Sequence, residues 1–269
     1  MTRVAAILLL AALAGGCVAP VADGAGVYAR PIGTAPVIVN DTAYSRSLTC
    51  LRSEIARAGR PAPRIAVGDI RDYTGKYDED SGAKVTQGAA LMAISALARL
   101  GLPQVERLDM RVAEAELRLA NNNLIGAGGG VRPILAGSMP GSDLHLVGGI
   151  TELNYNIGST AVDLFYRQGG VGAQLYVLNI AVDLRLVRTE TLEVVDVVSY
   201  QKQIVGREIG AGVFEFFGGN LFDLSASSRA LEPMQLAVRA MIERAVGEMA
   251  RRLFELPAAA CAPVESGGA

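Results

Sequence analysis

The sequence predicts an α+β protein: an α/β body carrying two amphipathic β-hairpins that join those of neighbouring copies in a transmembrane barrel. Three observations lead there. Strand-like and helix-like segments alternate from Arg64 to Leu119, two long glycine-turned strand pairs follow, and the chain opens like a lipoprotein.

Met1-Thr2-Arg3 carries one positive charge, an apolar run spans Val4 to Leu13, and small residues lead to Cys17. This is the layout of a secretory signal peptide over residues 1–16, shorter than the roughly 20 apolar residues that span a bilayer. Leu13-Ala14-Gly15-Gly16-Cys17 resembles a bacterial lipobox, in which Cys17 is diacylated (commonly with palmitate) and becomes the new N-terminus, although Ala14 stands where leucine is usual. The plainer alternative is an ordinary signal peptide with an incidental cysteine. Val18, where an inner-membrane retention signal would place aspartate, directs a lipoprotein to the outer membrane. Residues 17–63 then read as anchor and extended tether, rich in Ala, Gly, Pro and Val up to about Asn40, with a short helix over Thr49 to Ala58.

The body begins with an alternating strand over Arg64 to Ile70, then a polar loop from Arg71 to Thr86. Leu91, Ile94, Leu97 and Ala98 give Gln87 to Leu100 a helical period, which Gly101-Leu102-Pro103 ends. A strand near Val105 to Leu108, an amphipathic helix over Val112 to Leu119 and a strand over Leu144 to Ile150 complete a first part, residues 64–152. The Asn- and Gly-rich stretch Asn121 to Gly130 is a loop. It cannot cradle a phosphate, since Pro133 and a strand follow it where a helix is needed.

Residues 153–187 form the first hairpin and its return strand, turning at Arg167-Gln168-Gly169-Gly170. Strand side chains alternate between faces, so parity separates two surfaces. Tyr176, Leu178, Ile180, Val182, Leu184 and Leu186 make one face apolar, against Asn179, Asp183 and Arg185 on the other. The apolar phase changes at Gly158-Ser159, which predicts a bulge where the strand leaves the soluble sheet. Residues 188–204 return as a soluble strand. Residues 205–228 give the second hairpin, with Phe214, Phe216 and Phe222 of one parity across a turn at Gly218-Gly219-Asn220.

Such faces suit a wall with lipid on one side and water on the other, with Tyr176, Leu178, Ile180, Phe214, Phe216 and Phe222 meeting lipid. A soluble antiparallel sheet packed on helices alternates in the same way. Unpaired strand edges are not tolerated in hydrocarbon, and two hairpins supply fewer strands than the roughly eight of the smallest single-chain barrels. A barrel built from this chain is therefore a homo-oligomeric ring. A helix over 229–256 buries Met234, Val238, Met241, Ile242, Ala245, Met249 and Leu253, and the small-residue tail 257–269 reads as disordered.

Composition narrows the classes. Hydrophobic residues make up 51% of the 269, with 31 glycines and no tryptophan. Mean hydropathy is +0.31 without a helix-length apolar span after the leader. A net charge of −2 gives no basic footprint for nucleic acid. No metal-ligand spacing, cofactor motif or nucleophile elbow is present, and His145, the lone histidine, reads as structural, so no enzyme is expected. With Cys17 lipidated, Cys50 and Cys261 are left either as a disulfide or as two free thiols.

Val67-Gly68-Asp69-Ile70-Arg71-Asp72-Tyr73-Thr74-Gly75, Ile180-Ala181-Val182-Asp183-Leu184-Arg185-Leu186-Val187 and Ala211-Gly212-Val213-Phe214-Glu215-Phe216 resemble the CsgG/HfaB family, in order, between Arg64 and Phe254. These are the lipid-anchored outer-membrane channels of curli secretion and their holdfast-anchor relatives. The resemblance implies a periplasmic domain and two barrel hairpins per subunit. It implies a diffusion channel for unfolded adhesin or amyloid-like subunits, served by accessory secretion or anchor proteins. It also implies a constriction in the loop from Tyr73 to Gln87. The curli channel has an aromatic and amide ring there; this loop looks shorter and sets Tyr77 beside Asp78, Glu79 and Asp80. Those carboxylates make either a negative mouth or a solvated acidic turn. The altered loop, the Ala- and Arg-rich composition and the Cys50–Cys261 option lean toward the holdfast-anchor branch. The expected function is export or anchoring of surface adhesins, the alternative a periplasmic lipoprotein scaffold or assembly factor that never inserts.

Overall fold

Alternation along one strand sets the architecture. In the computed structural model, which describes residues 39–78, 82–127, 130–157, 174–210, 213–217 and 231–262, every second side chain from Leu178 to Leu186 is buried. The chain divides into two units, 1–40 and 41–269, and the description that follows concerns the second.

Its elements are α1 (Ser45–Ala58), β1 (Ile65–Asp72), the short pair β2 (Tyr77–Asp78) and β3 (Gly82–Ala83), α2 (Ala89–Leu100), β4 (Gln104–Val105) and α3 (Met110–Asn121). A second short pair follows, β5 (Gly126–Ala127) and β6 (Gly130–Val131). Then come β7 (Leu144–Ile157), β8 (Gln174–Arg188), β9 (Val194–Gly210), β10 (Val213–Phe217) and α4 (Leu231–Leu253). One mixed six-stranded sheet has the order β10-β9-β8-β7-β1-β4. β1 runs parallel to β4 and β7, and the other neighbours are antiparallel.

Helices cover one face of this sheet. α2 packs on β1, α4 packs on β8 and β9, and α1 packs against both helices. Val182, Leu184 and Ile180 of β8, Ile150 and Leu153 of β7 and Val238 and Ile242 of α4 lie in the shared core. Gly247 of α4 lets α1 come close, since a Cβ there would stand 3.2 Å from Leu48.

The expected elements recur with shifted edges, and several expectations are corrected. Residues 45–58 are helix α1, buried through Leu48, Leu51 and Ile55, so the tether cannot extend to residue 63. α2 buries Ala89, Ala90, Met92, Ala93, Ala96, Leu97 and Leu100, whereas Leu91 is 62% exposed. Its alanines admit close approach of α1 and α4, so small residues outweigh the larger ones that mark the period. An apolar phase change that was not expected occurs at Thr151: the pairing of β7 with β8 slips between Ile150 and Glu152, so Ile150 and Leu153, three apart, both face the core. Gly158-Ser159 lies outside the described residues. The expected boundaries at 153 and 205 therefore fall inside the single strands β7 and β9.

The second hairpin region is described only in part. β9 and β10 pair from Val205↔Phe217 to Gly210↔Val213. The expected turn at Gly218-Gly219-Asn220 lies outside the described residues. In the C-terminal tail, residues 257–262 are ordered against α1. Ala260 N donates to Pro257 O at 2.9 Å, Ser47 Oγ donates to Cys261 O, and Cys261 is bonded to Cys50.

One charge lies inside the helix layer. Glu243 of α4, 1% exposed, accepts hydrogen bonds from Thr42 Oγ1 and from Ser45 Oγ at 2.8 Å, while Arg99 of α2 stands 3.9 Å away. It thus holds the entry to α1, the end of α2 and the middle of α4 at one point. Glu243→Ala strands two buried hydroxyl donors and should lower the unfolding free energy by about 1–3 kcal/mol in urea titrations followed by circular dichroism.

Candidate functional site

The site begins where β1 stops. Asp72, Ile150, Val182 and Tyr200 lie in one row across β1, β7, β8 and β9. Beyond it β7 continues to Ile157, β8 reaches back to Gln174 and β9 runs on to Gly210, where β10 joins. The sheet thus extends past its parallel partner as an antiparallel ribbon.

The ribbon has two unlike faces. Toward the helices, Leu153, Ile180 and Lys202 share one row, and Leu178 and Ile204 share the next. On the opposite face Asn154, Asn179 and Gln203 stand in register on three adjacent strands. Asn179 is 4% exposed between its two amide neighbours, and its Oδ1 has no partner among the described residues.

The loop between β1 and α2 leaves the sheet at the same row. Tyr73 N donates to Ile150 O at 2.9 Å, and Asp72 Oδ1 accepts from Thr74 N at 2.8 Å and Thr74 Oγ1 at 2.6 Å, turning the chain at once. Gly75 follows with φ +64°, a left-handed conformation that suits glycine. The Tyr73 ring lies across Gly149, where any Cβ would collide with it. Tyr77 pairs with Ala83 and Asp78 with Gly82, and buried Val85 ties the loop back to the core before α2 begins. Tyr77 itself is 72% exposed. Glu79 and Asp80 lie outside the described residues, and of Asp78 only the backbone pairing is described.

Of the residues expected to meet lipid, Leu178 and Ile180 require correction. They are 5% and 0% exposed within the core beneath the helices, and a side chain sealed against protein cannot face lipid. Tyr176 pairs with Ile157 and Gly206, Phe214 with Glu208 and Phe216 with Gly206; only these backbone positions are described. Phe222 and Cys17 lie outside the described residues. No helix among the described residues is long and apolar enough to cross a membrane.

Cys50 and Cys261 form a disulfide with a Cα separation of 5.6 Å across 211 residues of sequence. Glu54 completes a group of three whose possible ligand atoms lie within 4.8 Å, but two sulfurs bonded to each other offer no thiolate to a metal.

His145 works as a clasp. Its Nδ1 lies 2.9 Å from Thr189 Oγ1 and 3.4 Å from Ser142 Oγ, joining the start of β7 to the turn after β8. Burial, and secondarily the charge of Arg107, hold its pKa below the ordinary value.

Three residues escaped the sequence reading. Arg244 lies over the rings of Tyr200, at 4.8 Å, and Tyr44, at 5.8 Å. Two tyrosines and an arginine far apart in sequence carry no signature, and only the packing of α1, β9 and α4 unites them.

A family model described as "Curli production assembly/transport component CsgG" matches residues 51–266. HfaB of Caulobacter vibrioides, a protein named for transcription activation, is 56% identical over 94% of this chain and 80% of its own length. CsgG of Escherichia coli K12 is 29% identical over 69% of this chain and 71% of its own. Among solved structures, a PelC dodecamer from Paraburkholderia phytofirmans aligns with 69% of this chain and 86% of its own, at 16% identity and a TM-score of 0.28.

The His145 clasp has a pH signature. A depressed folded pKa means that the unfolded chain binds the proton more readily, so this stabilisation is complete above about pH 6.5 and is lost as pH falls through the folded value. The urea midpoint should drop between about pH 7.5 and 5, and His145→Gln should remove part of that drop.

Proposed function

Since the chain belongs to the CsgG family, on the branch of HfaB, we propose that it is one subunit of an oligomeric, lipid-anchored outer-membrane channel that exports or anchors surface adhesin subunits. The observation that carries this reading is the ribbon of β7, β8 and β9 that outruns β1, with one apolar and one amide-bearing face. Its backbone supports a ring. Among the described residues, β7 beyond Ile150 is paired only with β8, and β10 is paired only with β9, so the ribbon has an open edge on each side. In hydrocarbon each unpaired backbone group costs several kcal/mol, so neighbouring copies would have to close such an edge.

In this reading Cys17 carries the lipid and the periplasmic body holds the hairpins upright. Lipid contact begins beyond Leu178 and Ile180, at Tyr176, Phe214, Phe216 and Phe222. The amide face, Asn154, Asn179 and Gln203, lines the lumen, and the loop bearing Tyr77, Asp78, Glu79 and Asp80 narrows it. Subunits passing through would be unfolded adhesin or amyloid-like chains, delivered or retained by accessory proteins, with no cofactor engaged. The transcriptional name of HfaB finds no support in the net charge of this chain, −2.

One observation favours the second reading, a scaffold that never inserts. The helices already seal the apolar phase of β8 at Leu178 and Ile180, as they would in a wholly soluble sheet. Phe214→Asp separates the two. A channel should lose its detergent-extracted, heat-modifiable ring, because a charge would sit on the lipid face, whereas a scaffold should assemble unchanged.

The loop has its own test in planar bilayers. Asp78→Asn, Glu79→Gln and Asp80→Asn combined should lower the preference for cations over anions severalfold if the acidic turn lines the pore. Unchanged selectivity would remove the loop from the pathway.

A further inference from the structure

A cavity of about 390 Å³ opens between α1, α4, β9 and the ordered tail, with Tyr44, Ser47, Leu51, Tyr200, Arg244 and Ala260 in its lining. Tyr200 belongs to the row where β1 stops, so the cavity lies on the helix side of the sheet at the base of the ribbon.

Its charges are unequally satisfied. Arg251 Nε donates to Glu248 Oε2 at 3.0 Å, and Arg252 shares the same carboxylate. Glu243 is occupied by Thr42 and Ser45. Arg244 is different. It donates to Tyr44 Oη at 3.3 Å and lies over two aromatic rings, and among the described residues no carboxylate bonds to it. Rings cover the flat faces of a guanidinium and leave its N–H edge, which matches the two oxygens of a carboxylate. Glu248 is balanced by Arg251 and Arg252 and Glu243 faces Arg99, so Arg244 is left as one positive charge in the lining, which a singly charged carboxylate matches and a doubly charged phosphate exceeds. Leu51, Ala258 and Ala260 offer apolar surface for the short stem of such a side chain.

The rim is held covalently. Ala258, Ala260, Cys261 and Ala262 form one wall, kept in place by the Cys50–Cys261 bond and by Ser47 Oγ donating to Cys261 O. Without the bond, nothing covalent ties that wall to α1.

We propose that this cavity binds an acidic side chain of a partner peptide, with Arg244 reading its carboxylate and the Cys50–Cys261 disulfide holding the rim closed around it. Binding here needs neither an open pore nor a membrane, so the proposal stands apart from the channel reading.

The test uses the full mature chain, oxidised and in detergent, with fluorescein-labelled, end-capped Ala-Glu-Ala and its Ala-Gln-Ala twin read by anisotropy. The glutamate peptide should bind at least roughly tenfold tighter, as expected for a charge-assisted hydrogen-bonded pair. Arg244→Gln should erase that preference, Arg244→Lys should keep part of it, and the paired substitution Cys50→Ser with Cys261→Ser should weaken the glutamate peptide about tenfold. Circular dichroism of each variant separates lost binding from lost fold. Equal affinity for both peptides, an unchanged preference in Arg244→Gln, or displacement by inorganic phosphate at the same concentration as by unlabelled glutamate peptide would overturn the carboxylate site. Full binding in the doubly substituted chain with no disulfide would overturn the role of the rim.

Discussion

Everything in this molecule rests on sealing one face of β7, β8 and β9 under a single layer of helices. Ile150, Leu153, Ile180, Val182 and Leu184 are each at most 1% exposed, and each such side chain contributes about 1.5–3 kcal/mol relative to exposure. Because one face bears this burden, the other is free to carry amides and charges. Because α4 spans β8 and β9, the ribbon is stiff where it leaves the body. Glu243 fixes the layer from within: a carboxylate with two hydroxyl donors and an arginine at its edge specifies how α1, α2 and α4 meet, where apolar contacts alone would let them slide.

The strand alternation of β8 and the helical stripe of α4 were readable from the residues, because large apolar side chains repeated at the right period over many positions. The bulge at Thr151 was not. Gly148 and Gly149 precede it, and residues without side chains declare no phase, so the shift from Ile150 to Leu153 looked like one continuous pattern ending later. α2 misled for a related reason: its buried face is mostly alanine, which period counting weighs less than the exposed Leu91.

The candidate site divides along the same line. The family motifs lie on β1, on β8 and on β10, so the local sequence marked strands that frame the ribbon. What local sequence cannot carry is register. Asn154, Asn179 and Gln203 became a row only when three strands were aligned, and burial at Leu178 and Ile180 depended on a helix some fifty residues further on. Parity separates two faces of a strand, but it does not say which covering, lipid or protein, the apolar one receives.

The disulfide changes the topology of the chain as well as its local packing. Cys50 lies in α1 and Cys261 beyond α4, so the bond closes a ring containing every strand of the described six-stranded sheet. Molecules that thread or unravel proteins from a loose end would meet a closed covalent circuit at this knot of the fold. Tension applied to either terminus passes between α1 and the tail through the sulfur bridge, bypassing the hairpins. A chain wired in this way can bear load between its ends without its sheet becoming the first part to yield.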